Sequence, residues 1–234
     1  MSNERSAGLA VVTGATGGIG LAIAQHLLTA GWQVAGLDIG PAVARHDAYR
    51  HITVDLCDEA ATRRVLDTLK DARALVHAAG ILRVGPLALM DPADGERMWK
   101  LHVDVAVRLA QILTPEMAAR GDGRVVLIGS RVAQGMAGRS QYAASKAALV
   151  ALARSWAAEL APQGVTVNVV SPAATQTAML DDPARAASAP RMPPIGRLIQ
   201  PDEIAALVHF LMSREAAAIT GQDIAICGGA SLPR

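Results

Sequence analysis

Thr13-Gly14-Ala15-Thr16-Gly17-Gly18-Ile19-Gly20 is the stretch that decides the fold of this 234-residue chain. It follows a short apolar run, Leu9–Thr13, and opens a segment of helical periodicity over 18–30. Glycines in such a strand-to-helix turn permit a tight bend and let the backbone approach a pyrophosphate. The free amides of the helix N-terminus meet its charge. The spacing is TGxxxGIG rather than GxGxxG, and Gly14, Thr16, Gly18, Ile19 and Gly20 are the residues expected to touch a dinucleotide.

Outward from this turn, short apolar runs alternate with longer helical patterns, the signature of repeated βαβ units. Strands are expected over 9–13, 33–38, 51–55, 74–78, 124–128, 166–170 and 223–226. Helices are expected over 18–30, 58–69, 94–119, 141–160 and 202–212. The expected fold is a single α/β domain covering 1–234, a doubly wound, Rossmann-type parallel sheet of about seven strands with helices on both faces. The one proline-rich stretch, 183–201, carries Pro183, Pro190, Pro193, Pro194 and Pro201 and reads as a substrate lid around 176–200. A domain boundary there would leave too few residues beyond it for a core.

Asp38 ends the second expected strand, eighteen residues after Gly20. An acid at that point accepts hydrogen bonds from the adenosine ribose and repels a 2′-phosphate, so the expected cofactor is NAD rather than NADP. Asp55, with Leu56 beside it, either meets the adenine edge or caps its own loop.

Tyr142-Ala143-Ala144-Ser145-Lys146 lies within a helical run, which places Tyr142 and Lys146 on one helix face. A nearby ammonium favours phenolate and brings a hydroxyl with an unperturbed pKa of about 10 into range for proton transfer. Ser130, just past the fifth expected strand, can polarise a substrate oxygen.

Composition narrows the partners. A net charge of +1 with arginines scattered among acids leaves no basic face for nucleic acid, so a small molecule is the expected substrate. Cys57 and Cys227 lack the spacing of a disulfide framework or a metal site. Residues 1–8 have no signal-peptide pattern and no apolar run reaches membrane-spanning length, so the expected location is cytoplasmic.

Together, TGxxxGIG, Asp38, Ser130 and the Tyr142–Lys146 pair resemble the classical short-chain dehydrogenase/reductase family, and the resemblance covers nearly the whole chain. It implies a triad of Ser130, Tyr142 and Lys146, with Lys146 also holding the nicotinamide ribose. It implies further cofactor contacts at Ala78, Ala79, Gly80, Pro172, Thr175 and Thr177, and a homotetramer. Within the family the chain resembles the 2,3-dihydro-2,3-dihydroxybenzoate dehydrogenases, through Ala78-Ala79-Gly80-Ile81-Leu82-Arg83, Ser171-Pro172 leading to Met179, and the closing Ile219-Thr220-Gly221-Gln222-Asp223-Ile224.

There are four departures from the family pattern. Its Asn-Asn-Ala-Gly is His77-Ala78-Ala79-Gly80 here, its Pro-Gly is Pro172-Ala173, and the loop from Ser130 to Tyr142 is one residue shorter. The fourth is His102, which stands where the family has a helix asparagine that holds a water in the proton relay; it either works in that relay or fills space.

The expected activity is NAD-dependent oxidation of a ring alcohol, a carboxylated hydroxycyclohexadiene such as 2,3-dihydro-2,3-dihydroxybenzoate, in siderophore or secondary-metabolite biosynthesis. Arg83, Arg131 and Arg139 are each candidates to pair with the carboxylate or to serve as surface or subunit contacts, with Met179 as a substrate neighbour. The alternatives are a carbonyl reductase of the 3-oxoacyl-carrier-protein or steroid type, and an NAD-binding homologue without catalysis.

Overall fold

The computed structural model describes residues 8–181 and 191–232. Among these, seven strands form one sheet, every pairing parallel, in the order β3-β2-β1-β4-β5-β6-β7. They are β1 (Leu9–Thr13), β2 (Gln33–Asp38), β3 (Tyr49–Thr53), β4 (Ala74–His77), β5 (Gly123–Ile128), β6 (Val165–Pro172) and β7 (Asp223–Ile226). The α-helices of the described residues are α1 (Gly18–Thr29), α2 (Glu59–Asp67), α3 (Pro92–Trp99), α4 (Val105–Arg120), α5 (Ser140–Leu160) and α6 (Pro201–Met212).

The central strands are apolar at successive positions because both faces of the sheet are covered. Ala10 and Val12 of β1 point to the face where Ile23 and Leu27 of α1 meet Ile204 and Val208 of α6. Val11 points to the opposite face, against a core holding Leu66 of α2, Leu109 and Leu113 of α4 and Leu149 of α5. Complete burial of such a leucine or isoleucine contributes about 1.5–3 kcal/mol, and Ile23, Leu27, Leu109 and Leu149 are all fully buried. The strand order reverses between β1 and β4, and the crevice at the carboxyl ends of the strands opens at that switch point.

Two elements differ from the expected pattern. β3 runs over Tyr49–Thr53 rather than 51–55, because its register is set by β2, with Val34 opposite Tyr49 and Asp38 opposite Thr53. The long helix expected over 94–119 is interrupted: Lys100–Asp104 form a π turn between α3 and α4. Such a turn widens the helix by one residue and often marks a functional position. Of the expected lid, 182–190 lie outside the described residues. On either side of that stretch, Gln176 N–H donates to Ile199 O and Ile199 N–H to Ala174 O, so the chain entering the segment is paired with the chain leaving it.

Candidate active site

Every residue that the sequence assigns to the cofactor lines one cavity of about 980 Å³ at the carboxyl ends of the strands. The glycine turn forms its floor. At Gly14 a Cβ would come within 2.9 Å of the Ala79 backbone, and at Gly20 it would strike the carbonyl of Gly14. Both positions therefore exclude a side chain, and the turn between β1 and α1 packs directly on the loop after β4. The N-terminus of α1, capped by Gly17 and so without a side chain to satisfy its first amides, faces the same cavity. That is the arrangement a pyrophosphate requires.

Asp38 is held by the turn it faces. Thr16 N–H donates to Oδ2 and Gly40 N–H to Oδ1, each at 3.0 Å. Partial burial opposes the charge, and the hydrogen bonds outweigh it, so the carboxyl lies below its ordinary pKa. Asp55 caps its own loop, one of its two expected roles. Its Oδ1 accepts from Cys57 N–H at 2.8 Å, a loop-capping bond, and the residue also lines the cavity beside Leu56.

At the other end, Ser130, Tyr142, Lys146 and His102 all line the cavity. Ser130 caps the short turn after β5, its Oγ accepting from Val132 N–H at 3.2 Å. Lys146 lies 5.8 Å from the centre of the Tyr142 ring, and its ammonium donates to Ile128 O at 2.8 Å. Burial pushes the Lys146 pKa down to about 7.

Two buried histidines frame this end. His77 Nε2 contacts the Leu101 carbonyl at 3.1 Å, and a carbonyl can only accept, so the proton sits on Nε2. Nδ1 is then bare and accepts from Thr13 Oγ1 at 2.9 Å. That hydroxyl accepts from the Ala78 and Ala79 amides, both at 3.1 Å. Burial, with the Lys146 charge as the second cause, pushes the His77 pKa down to about 3.

His102 lies in the π turn and is fully buried. Its Nε2 accepts from Ile81 N–H at 3.1 Å, which leaves the proton on Nδ1, 2.9 Å from Ser145 Oγ. Burial first, then the charge of Lys146, holds its pKa well below the ordinary value. The ring meets the Tyr142 ring edge-on, with centroids 5.7 Å apart. A Cβ at Gly80 would sit 3.1 Å from His102 Nε2, a tight approach, and in ordinary contact with Lys146 Nζ at 3.6 Å.

Of the three arginines, Arg131 and Arg139 line the cavity and Arg83 does not. Arg83 is turned to α3, where it faces Asp94 at 3.8 Å and donates to Leu82 O. Met179 is in the lining. Arg191, Met136 and Met192 also line it, and the sequence pattern does not single them out. They lie in loops without periodicity, and only the position of Arg191 and Met192 in the proline-rich stretch hints at a place over the site.

Among the described residues, no helix is long and apolar enough to cross a membrane.

Residues 14–231 match the family described as enoyl-(acyl carrier protein) reductase. The chain is 34% identical over 235 residues to the 3-oxoacyl-[acyl-carrier-protein] reductase of Salmonella typhimurium, covering 94% of this chain and 96% of that one. It is 32% identical over 253 residues to an oxidoreductase of Escherichia coli O157:H7, covering 96% and 94%. Among solved structures it resembles a short chain dehydrogenase/reductase family protein, with a TM-score of 0.87 at 33% identity over 96% of this chain and 97% of that one. It also resembles the ligand-free aldohexose dehydrogenase of Thermoplasma acidophilum, with a TM-score of 0.88 at 28% identity over 97% and 94%.

Proposed function

The chain belongs to the short-chain dehydrogenase/reductase family and is an oxidoreductase, and from that premise we propose that it interconverts a secondary alcohol and a carbonyl using NAD(H). The observation that carries this reading is the convergence of Ser130, Tyr142 and Lys146 on one end of a cavity whose other end presents the Asp38 carboxylate.

The cavity suits a dinucleotide. Glycines at 14, 18 and 20 clear the floor, the start of α1 offers amides, and Asp38 is fixed at the end of β2. Gly14, Thr16, Gly18, Ile19 and Gly20 would hold the pyrophosphate, Asp38 the ribose, and Asp55 and Leu56 the adenine. Ala78, Ala79, Gly80, Pro172, Thr175 and Thr177 would hold the nicotinamide half. NAD, when bound, supplies the hydride acceptor.

The residues of the chain supply the proton chemistry. Ser130 hydrogen-bonds the substrate oxygen, Tyr142 takes the alcohol proton, and the Lys146 ammonium stabilises the phenolate that results. His102 acts as a positioning residue, tying the Tyr142 helix turn to the loop after β4 through Ser145 and Ile81.

Selection of NAD over NADP rests on Asp38. The cationic residues lining the cavity are Arg131, Arg139, Lys146 and Arg191, which come from segments following β5 and β6, whereas Asp38 lies at the end of β2. A 2′-phosphate beside Asp38 would thus meet a carboxylate without a compensating cation among the described lining residues.

For the substrate, two readings have support. Relatives named 3-oxoacyl-[acyl-carrier-protein] reductases favour a 3-oxoacyl thioester and its alcohol. The arginines next to Ser130 and Tyr142 favour a carboxylated ring alcohol, with 2,3-dihydro-2,3-dihydroxybenzoate as the specific candidate. Following NADH absorbance with purified protein, both cofactors, a 3-oxoacyl thioester and the dihydro-diol tests the proposal. Absence of turnover with every alcohol and carbonyl offered would overturn it.

A further inference from the structure

The two ends of the cavity carry opposite charge. Among the described lining residues, the acids are Asp38 and Asp55, at the end of β2 and after β3. The arginines are Arg131, Arg139 and Arg191, which follow β5 and β6. Because the sheet order places β2 and β3 on one side of the switch point and β5 and β6 on the other, like charges are grouped rather than paired.

Arg131 belongs to the positive end. It follows Ser130 directly, in the turn Arg131–Gln134 that Ser130 caps, and its Nε is buried without a hydrogen-bond partner among the described residues. Met136, Met179 and Met192 line the same cavity and supply apolar, adaptable walls.

We propose that Arg131, supported by Arg139 and Arg191, forms an anion subsite, and that the substrate is a small hydroxy acid or oxo acid whose free carboxylate lies close to the reacting carbon. This deepens, and rests on, the reading of the site as an alcohol–carbonyl couple. The chemistry of the subsite is anion recognition by planar forks, which a carboxylate and a phosphate share. A residue adjacent to Ser130 in sequence reaches a group a few bonds from the reacting carbon. The phosphate of a long thioester arm lies far beyond it. The apolar walls call for a hydrocarbon body between the carboxylate and the solvent.

The experiment has a catalytic and a binding arm. In the first, kcat/KM with NAD is measured for a ring hydroxy acid, its methyl ester and an uncharged thioester of a 3-hydroxy acid. The acid is expected to exceed the ester by about tenfold or more, equivalent to about 1.4 kcal/mol. Arg131→Gln is expected to remove most of that ratio through KM, with Arg131→Lys, which keeps charge and loses the fork, between the two. In the second arm benzoate and benzamide are titrated calorimetrically into the full chain. Benzoate is expected to bind more tightly, and Arg131→Gln to abolish the difference.

Equal use of acid and ester, a preference for the thioester, or an acid-to-ester ratio unmoved by Arg131→Gln would overturn the subsite. So would equal binding of benzoate and benzamide. If no alcohol is oxidised while benzoate binding still depends on Arg131, the anion subsite stands and the alcohol–carbonyl reading fails. If the ester is oxidised as fast as the acid, the alcohol–carbonyl reading stands and the anion subsite fails.

Discussion

His102 Nδ1–H donates to the Ser145 hydroxyl at 2.9 Å, and that hydroxyl donates to the Tyr142 carbonyl at 2.9 Å. With Ile81 N–H bound at Nε2, both ring nitrogens are engaged and the tautomer is fixed. His102→Leu removes an acceptor from Ile81 and a donor from Ser145, a loss of about 1–3 kcal/mol for buried partners. The expected outcome is a lower unfolding midpoint and a fall in kcat larger than any rise in KM. His102→Asn, which keeps a donor and an acceptor, should retain more of kcat than the leucine variant. Equal kcat for the two variants would count against a positioning role.

Tyr142→Phe deletes the proton acceptor while keeping the ring that packs against His102. Turnover should fall by about 10²–10⁴-fold, the range for a positioned acid–base group. NAD binding, followed by calorimetry, should stay within a few-fold of the parent. A variant that keeps most of its rate would remove Tyr142 from the mechanism.

The pH dependence of stability follows from groups whose charged form burial disfavours. His77 falls from 6.5 to about 3 on folding, so the unfolded chain binds more protons between those values. Stability from this group is complete above pH 6.5 and is lost as pH falls toward 3. Lys146 falls from 10.5 to about 7, so its contribution is complete above pH 10.5 and is lost as pH falls toward 7. Urea unfolding from about pH 3 to about pH 10 should show stability rising through each window. Lys146→Met should flatten the upper one, and a slope there equal to the parent's would refute the assignment.

Asp38→Ala should narrow the gap between NAD and NADP, measured as the ratio of their kcat/KM values. Because Thr16 and Gly40 amides both bond this carboxylate, the variant should also lose some NAD affinity. Equal use of both cofactors by the parent protein would show that Asp38 does not select.

The legible parts of this molecule are those where local sequence and tertiary role coincide. The bend at Gly14–Gly20 demands glycine for backbone reasons that operate within a few residues, and the buried strands β1 and β4 stand out as short apolar runs. The π turn at Lys100–Asp104 is not legible, since its periodicity differs from that of an α-helix by one residue over a single turn. β3 lies two residues earlier than its sequence suggests because Tyr49, Arg50 and His51 carry no alternation, and only the partner strand sets the register. Tyr142 and Lys146 are marked by their spacing along one helix, and the cavity brings them together with Ser130. Arg83 reads like the other two arginines in sequence, but its direction depends on Asp94, eleven residues away on another element.

The hydroxyl of Thr13 accepts from two amides and gives its proton to His77, so it has no remaining capacity. His77 in turn commits its other nitrogen to the Leu101 carbonyl, in the π turn that carries His102. The groups make a lock with a single key. An asparagine at 77 also carries an acceptor and a donor, but on a shorter and differently shaped arm than the imidazole that bridges the threonine hydroxyl and the Leu101 carbonyl. Descendants of this sequence can therefore exchange Thr13 or His77 only by re-matching the other in the same step, and positions 13 and 77 should be inherited as a pair.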